Sequence, residues 1–191
     1  MKSKFFKQKI KYDGSQLTPL FAYQNFKISG DSIVSWVGPC DVTLEHMVDF
    51  EDKIAHEKIC GDLMLHFIIE VFPGNLPFGV SLQRLFAALA LEQIRDLSPL
   101  KKLISFRDGD DIYVETGQNN IGKLSISIAS VSAVSTQIHF AINIVNSGTP
   151  VKTVCLEELK VDSEQFAKRL MSVFVEEYES ILFATQKVKP L

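Results

Sequence analysis

Three residues of this sequence, Lys123, His66 and His139, are best suited to chemistry, and all three fall in segments with the pattern of β-strands. Lys123 follows a glycine, and a lysine in a polar groove can hold a carboxylate or phosphate as a point charge. His66 and His139 can act as acid, base or ligand near neutral pH. The alternatives are an exposed lysine at a strand start and two structural histidines.

Alternation along three predicted strands separates an apolar face from a polar face. The polar faces mix titratable groups with small residues, namely Met64, His66, Ile68, Glu70, Lys123, Ser125, Ser127, Ala129, Gln137, His139, Ala141 and Asn143. Small residues beside histidine and lysine favour a ligand groove, whereas a solvated face of an antiparallel sheet is the simpler alternative. His66 and Glu70 are four residues apart, about 13 Å along a strand. They can contact opposite ends of a ligand but cannot form a dyad.

The other candidates carry weaker signals. Arg84 and Arg107 could bind an anionic group through bidentate hydrogen bonds. A predicted helix places four ligating residues on one face, and these could bind Mg²⁺ or form a solvated acidic face: Glu45, Asp49, Asp52 and His56. Asp108, Asp110 and Asp111 crowd a tight turn that needs no function. Cys155 could be a nucleophile or a small buried thiol. We assign no metal ligands.

The elements that must position these residues follow from hydrophobic periodicity and turn signals. We expect an exposed N-terminal strand within residues 2–11 and a strand at 33–37 that ends at Gly38 and Pro39. A helix should begin near Asp41. Further strands are predicted at 63–72, 103–107, 111–115, 123–130 and 137–145. Ser81 and Asp162 should cap two more helices.

The order and spacing of these elements predict an α+β domain, residues 1–191, with a largely antiparallel sheet and helices on one face. The net charge of −3 and pI near 5.8 provide no broad basic field for nucleic acid or anionic lipid. The longest apolar runs are far shorter than the roughly 18 residues of a membrane span. Three widely spaced cysteines fit a reducing compartment. We therefore expect a soluble, cytoplasmic protein.

Residues 122–129 and 138–144 together resemble the core of the biotin ligase, lipoate ligase and octanoyltransferase superfamily, in which a Gly-Lys-Ile/Leu strand precedes a strand ending in Asn-Val or Asn-Ile. Residues 110–114 resemble the preceding strand of those enzymes. The resemblance implies that Lys123 contacts an acyl carboxylate or an adenylate phosphate. It also implies an acyl- or nucleotidyl-transfer reaction on a small carboxylate, for which ATP and Mg²⁺ are candidate cofactors.

The whole chain is similar to the prokaryotic family called domain of unknown function 366, through residues 12–16, 30–34, 44–49, 64–67 and 109–114. That similarity implies the fold of class II aminoacyl-tRNA synthetases and biotin ligases. However, residues 39–61 contain no arginine, whereas the ligases carry an arginine- and glycine-rich stretch at this point. A non-catalytic small-molecule-binding or assembly module, as a homodimer, is therefore the alternative function.

Overall fold

The computed structural model describes residues 1–117 and 120–189. It contains eight strands and four helices in the described residues. In chain order these are β1 (Lys2–Phe6), α1 (Phe21–Phe26), β2 (Ser32–Asp41), α2 (Phe50–Ala55), β3 (Cys60–Val71), α3 (Leu76–Leu97), β4 (Ile104–Asp108), β5 (Asp111–Glu115), β6 (Ile121–Lys123), β7 (Ser125–Val131), β8 (Thr136–Asn143) and α4 (Ser163–Gln186).

The main sheet has five strands in the order β1-β2-β3-β8-β7. All neighbours pair antiparallel except β1 and β2, which are parallel. A second sheet, β4-β5-β6, is antiparallel throughout. The predicted α+β class with a largely antiparallel sheet is therefore confirmed.

The two long helices, α3 and α4, cover the apolar face of the main sheet. Phe86 of α3 makes edge-to-face contacts with Phe67, Phe140 and Phe174, whose rings lie 5.0–5.2 Å away. All four side chains are fully buried. Such aromatic pairs stabilise a core beyond the burial of their area. This layer buries the apolar face of the sheet and leaves the opposite face to other elements.

The opposite face is also buried, which the sequence did not indicate. Trp36 and Ile68 form a second core there with Tyr12 and with Phe21 of α1. The N-terminal segment crosses this face, and Tyr12 donates its backbone N–H to the carbonyl of Pro39 at 2.9 Å. The polar side chains of this face are therefore enclosed by protein rather than solvated.

Several predicted boundaries were wrong. β2 passes through Gly38 with a bulge and ends at Asp41 instead of stopping at Gly38. The predicted helix from Asp41 is reduced to α2, which Asp49 caps by accepting from the N–H of Glu51. The helix α2 is therefore only six residues long and is not a third long helix beside α3 and α4.

The caps of the long helices were predicted with mixed success. Asn75, not Ser81, caps α3 by accepting from the N–H of Phe78 at 2.9 Å. Ser81 lies inside α3, where its hydroxyl donates to the carbonyl of Pro77. The cap of α4 at Asp162 is confirmed. No helix within residues 1–117 and 120–189 is long and apolar enough to cross a membrane.

Candidate ligand-binding cleft

A cleft of about 540 Å³ opens on the sheet face opposite α3 and α4. Its floor is apolar and comes from the N-terminal segment and strands β3 and β7. Its rim comes from residues 42–60 and 149–153 and from the turn before β5. The floor and the sheet edge contribute Tyr12, Met64, Ile126, Ile128, Lys123, His139 and Asn143. An apolar floor beside convergent polar groups is a common composition of a small-molecule site.

Lys123 reaches this cleft because the chain changes sheets at Leu124. The lysine ends β6 in the small sheet, and its N–H donates to the carbonyl of Lys152 at 3.1 Å. The Nδ2 of Asn143 donates to the carbonyl of Lys123 at 3.2 Å. A Cβ on Gly122 would lie 2.7 Å from the carbonyl carbon of Thr153. Only glycine therefore lets the segment at 152–154 lie against β6 and fix the lysine backbone.

The ammonium group of Lys123 pairs with the carboxylate of Asp111 at 2.7 Å, and both side chains are about a quarter exposed. Burial raises the pKa of Asp111, and the nearby Lys123 opposes that increase. Asp110 is bound by Arg84 at 2.8 Å and by Gln83 at 2.7 Å. The charge of Lys123 is thus partly neutralised by Asp111.

The cleft as a whole is acidic. Its charged lining comprises five carboxylates and two lysines: Asp49, Asp52, Glu57, Asp110, Asp111, Lys58 and Lys123. Burial is also the largest cause of the raised pKa of Asp52. An anionic ligand is therefore attracted only where a cation, Lys123 or Lys58, offsets this field.

The two candidate histidines form a buried pair. The Nδ1 of His66 lies 3.1 Å from the Nε2 of His139, and both rings are almost fully buried. His139 lines the cleft, whereas His66 lies behind it and contacts the carbonyl oxygen of Gly38 at 3.1 Å. His66 is therefore connected to the cleft through its contact with His139. The sequence placed both on the polar face but gave no register, so it missed the contact.

The predicted orientation of the Ser125 and Ser127 side chains was wrong, although Ser127 still contributes to the cleft lining. They pair with Ile142 and Phe140, whose side chains lie on the helix-covered face. The hydroxyl of Ser125 accepts from the N–H of Ile112 at 2.9 Å. The hydroxyl of Ser127 accepts from Gln83 and donates to the carbonyl of His139. The prediction assumed one continuous strand through Leu124, but β6 ends at Lys123 and β7 begins at Ser125. Because of this break, every side chain of β7 lies on the face opposite to the one predicted.

Three other candidates lie away from the cleft lining. Glu70 is buried and accepts from the N–H of Leu20 and the hydroxyl of Ser135. Arg84 binds Asp110 behind the cleft wall, and Arg107 donates to the carbonyl of Gly109 in the turn. Of the predicted site residues, the cleft lining contains Lys123, Ser127, His139 and Asn143 and lacks Glu70 and both arginines.

Comparison with known proteins places the chain in a family. The family model described as Domain of unknown function (DUF366) matches residues 1–189. The chain belongs to this family. It is 33% identical over 195 residues to "Uncharacterized protein MJ0805" of Methanocaldococcus jannaschii, covering 98% of this chain and 84% of that protein. It is 38% identical to the structure "Protein of Unknown Function from Pyrococcus horikoshi", with a TM-score of 0.90 and 99% of each chain covered.

More distant structures share the fold of this DUF366 protein. "Biotin protein ligase from Aquifex aeolicus in complex with biotin and ATP" has a TM-score of 0.56 at 13% identity, covering 92% of this chain and 69% of that one. A putative lipoate protein ligase from T. acidophilum with bound lipoic acid has a TM-score of 0.56 at 14% identity, covering 92% and 86%. The predicted resemblance to the biotin and lipoate ligase fold is confirmed.

The remaining sequence candidates of this DUF366 protein do not form a second site. Cys155 is buried, burial raises the pKa of its thiol, and it is absent from the cleft lining. Glu45 and Asp49 precede α2, so the predicted acidic helix face is wrong. Among residues 1–117 and 120–189, no group of three His, Cys, Asp or Glu side chains could hold a metal ion.

Proposed function

We propose that this protein is an acyl- or nucleotidyl-transfer enzyme that binds a small carboxylate in the cleft, with Lys123 holding the carboxylate or a phosphate. The observation that carries the proposal is the position of Lys123 in a cleft on the sheet of a biotin/lipoate ligase-like fold. Biotin and lipoic acid, bound in two of the similar structures, are both carboxylic acids. Their binding supports the substrate class without naming this protein's substrate.

In the proposed reaction an oxygen of the carboxylate attacks the α-phosphorus of ATP and pyrophosphate leaves, which produces an acyl adenylate. Lys123 would stabilise the negative charge at this point, since the attraction between opposite charges is stronger in a partly enclosed site than in water. The ligand must first displace Asp111, which lies 2.7 Å from the ammonium group. His139 lines the cleft and His66 does not, which supports His139 as the histidine that contacts the ligand.

The test is calorimetric titration with octanoic acid, lipoic acid and biotin, each with and without ATP and Mg²⁺. Loss of a charged hydrogen bond costs about 1.5–3 kcal/mol, so Lys123→Met should weaken binding of the preferred acid by about 10- to 100-fold. Lys152→Met is the matched control, because this exposed lysine is not part of the cleft lining. Equal affinity of wild type and Lys123→Met for every acid would contradict the proposal.

A second candidate is a non-catalytic binding module, working as a homodimer, that uses the same cleft. The acidic lining and the Lys123–Asp111 ion pair favour it, since both oppose binding of a polyphosphate. Pyrophosphate release from ATP in the presence of the bound acid separates the candidates. Release that depends on Lys123 identifies an enzyme. Tight binding of an acid with no release, from a protein that is dimeric by light scattering, identifies the module.

A further inference from the structure

The hydrogen bonds behind the cleft fix the proton positions of both buried histidines. A carbonyl oxygen only accepts, so the Nε2 of His66, 3.1 Å from the carbonyl of Gly38, carries a proton. In the neutral ring the Nδ1 of His66 is then an acceptor. It therefore receives a proton from the Nε2 of His139 across 3.1 Å. The neutral ring of His139 is left with an unprotonated Nδ1.

Both rings are neutral at physiological pH. Burial lowers the pKa of His66 to about 4 and lowers the pKa of His139 well below its usual value, to which the neighbouring His66 also contributes. Each ring therefore holds one proton, and both protons point along the chain of contacts toward Gly38. The tautomer of His139 is set by groups that no cleft ligand touches.

The unprotonated nitrogen of His139 belongs to a cleft-lining side chain that is 2% exposed. No hydrogen-bond partner for this Nδ1 exists among residues 1–117 and 120–189. The ring of Tyr12 stacks on it, with centroids 3.6 Å apart and planes 8° apart. Tyr12 also lines the cleft at 3% exposure, and within the described chain its hydroxyl has no partner either. Neither atom is among the fully enclosed unpaired polar atoms of residues 1–117 and 120–189, so both are reached from the cleft and are free to pair with a ligand group.

We propose that His139 and Tyr12 form a subsite for a neutral group that donates a hydrogen bond, such as the N–H of an amide or the O–H of an alcohol. The Nδ1 of His139 accepts from this group, while the Tyr12 hydroxyl, whose pKa burial raises, stays protonated and can donate to its oxygen. A carboxylate has only acceptor oxygens at neutral pH and would place lone pair against lone pair at His139.

This subsite extends the proposed function. It rests on that proposal for one assignment, namely that Lys123 binds the anionic end of the ligand. The carbonyl of Lys123 is bound by Asn143, four residues from His139 along β8, or about 13 Å. Lys123 and His139 line the same cleft, so a single ligand can contact both groups. The substrate class becomes a carboxylic acid that carries an amide or hydroxyl group at its far end. A plain fatty acid would leave His139 unpaired.

The test is ¹H–¹⁵N NMR of the histidine rings in the intact protein, with resonances assigned by single substitutions. His66 and His139 should each show a protonated Nε2 and an unprotonated Nδ1. Acetamide and acetate then form a matched pair of probes, because they have nearly the same shape but only acetamide donates. Acetamide should shift the Nδ1 resonance of His139, and acetate should leave it unchanged.

A protonated Nδ1 on His139, or an equal response to both probes, including none, would overturn the subsite. The ammonium signal of Lys123 reports on the proposed function separately, because acetate should shift it whatever happens at His139. Tyr12→Phe keeps the stacked ring and removes the hydroxyl. It should weaken acetamide binding about fivefold, as expected for one neutral hydrogen bond. The expected tautomers should persist in this variant.

Discussion

The buried, neutral histidine pair predicts that acidification destabilises the protein before its carboxylates protonate. His66 has a pKa of about 4 in the folded state against 6.5 ordinarily, and the pKa of His139 is also depressed. A depressed histidine pKa means that the unfolded chain binds protons more strongly than the folded one. The stabilisation is therefore complete above pH 6.5 and is lost as the pH falls toward 4.

Consider a histidine that titrates near pH 6.5 in the unfolded chain but stays neutral in the folded protein. When the pH falls from 7 to 5.5, it lowers the free energy of unfolding by about 1.2 kcal/mol. His66 and His139 together should therefore reduce the free energy of unfolding by about 2.5 kcal/mol. In a protein of this size that corresponds to a decrease in Tm of about 5–10 °C. Asp52 and Asp111 act in the opposite direction, because burial raises their pKa values.

Differences between variants isolate the histidine contribution. Urea unfolding at pH 7 and pH 5.5 should show that His66→Gln loses about half of the wild-type pH dependence, whatever its stability at pH 7. His56→Asn, which changes an exposed histidine at the end of α2, is the control and should keep the wild-type dependence. If wild type and His66→Gln lose the same stability on acidification, the buried pair is not neutral and its fixed tautomers are refuted.

Two further substitutions test how the cleft is built, by urea unfolding at pH 7. Ser125→Ala removes the acceptor of the buried Ile112 N–H and should cost about 1–3 kcal/mol. Ser130 lies on the same strand, and its side chain makes no hydrogen bond among the described residues, so Ser130→Ala is the control. It should change the free energy of unfolding by less than about 0.5 kcal/mol. Equal costs of the two substitutions would contradict the assigned faces. Gly122→Ala should cost more than about 2 kcal/mol, because its Cβ meets the backbone of Thr153. An unchanged stability would show that this close approach is not required.

The fold was predictable because it depends on local signals. Periodicity located β3 and β8 correctly, and Asp162 marked the start of α4. The prediction of a helix from Asp41 was wrong. The apolar residues of this segment have helical spacing, but β2 continues to Asp41 because it pairs with β3. Tertiary pairing overrides a weak local preference in such a segment.

The candidate site was predictable only in part, because its decisive contacts join distant segments. Gly122 and Lys123 have a recognisable sequence pattern, and alternation alone placed His139 on the correct face. The contact between His66 and His139 depends on the register of two strands separated by more than sixty residues, which no local pattern encodes.

The same contact explains why His66, although enclosed, matters for ligand choice. Replacing His66 with a residue that cannot accept a hydrogen bond would leave the Nε2 of His139 unpaired. The His139 proton could then move to Nδ1 at little cost, since neutral imidazole has two tautomers. The cleft would now present a donor where it had an acceptor, and a carboxylate would fit where an amide N–H did. The carbonyl of Gly38, held at the bulge in β2, thus sets through two rings which chemical group the cleft accepts.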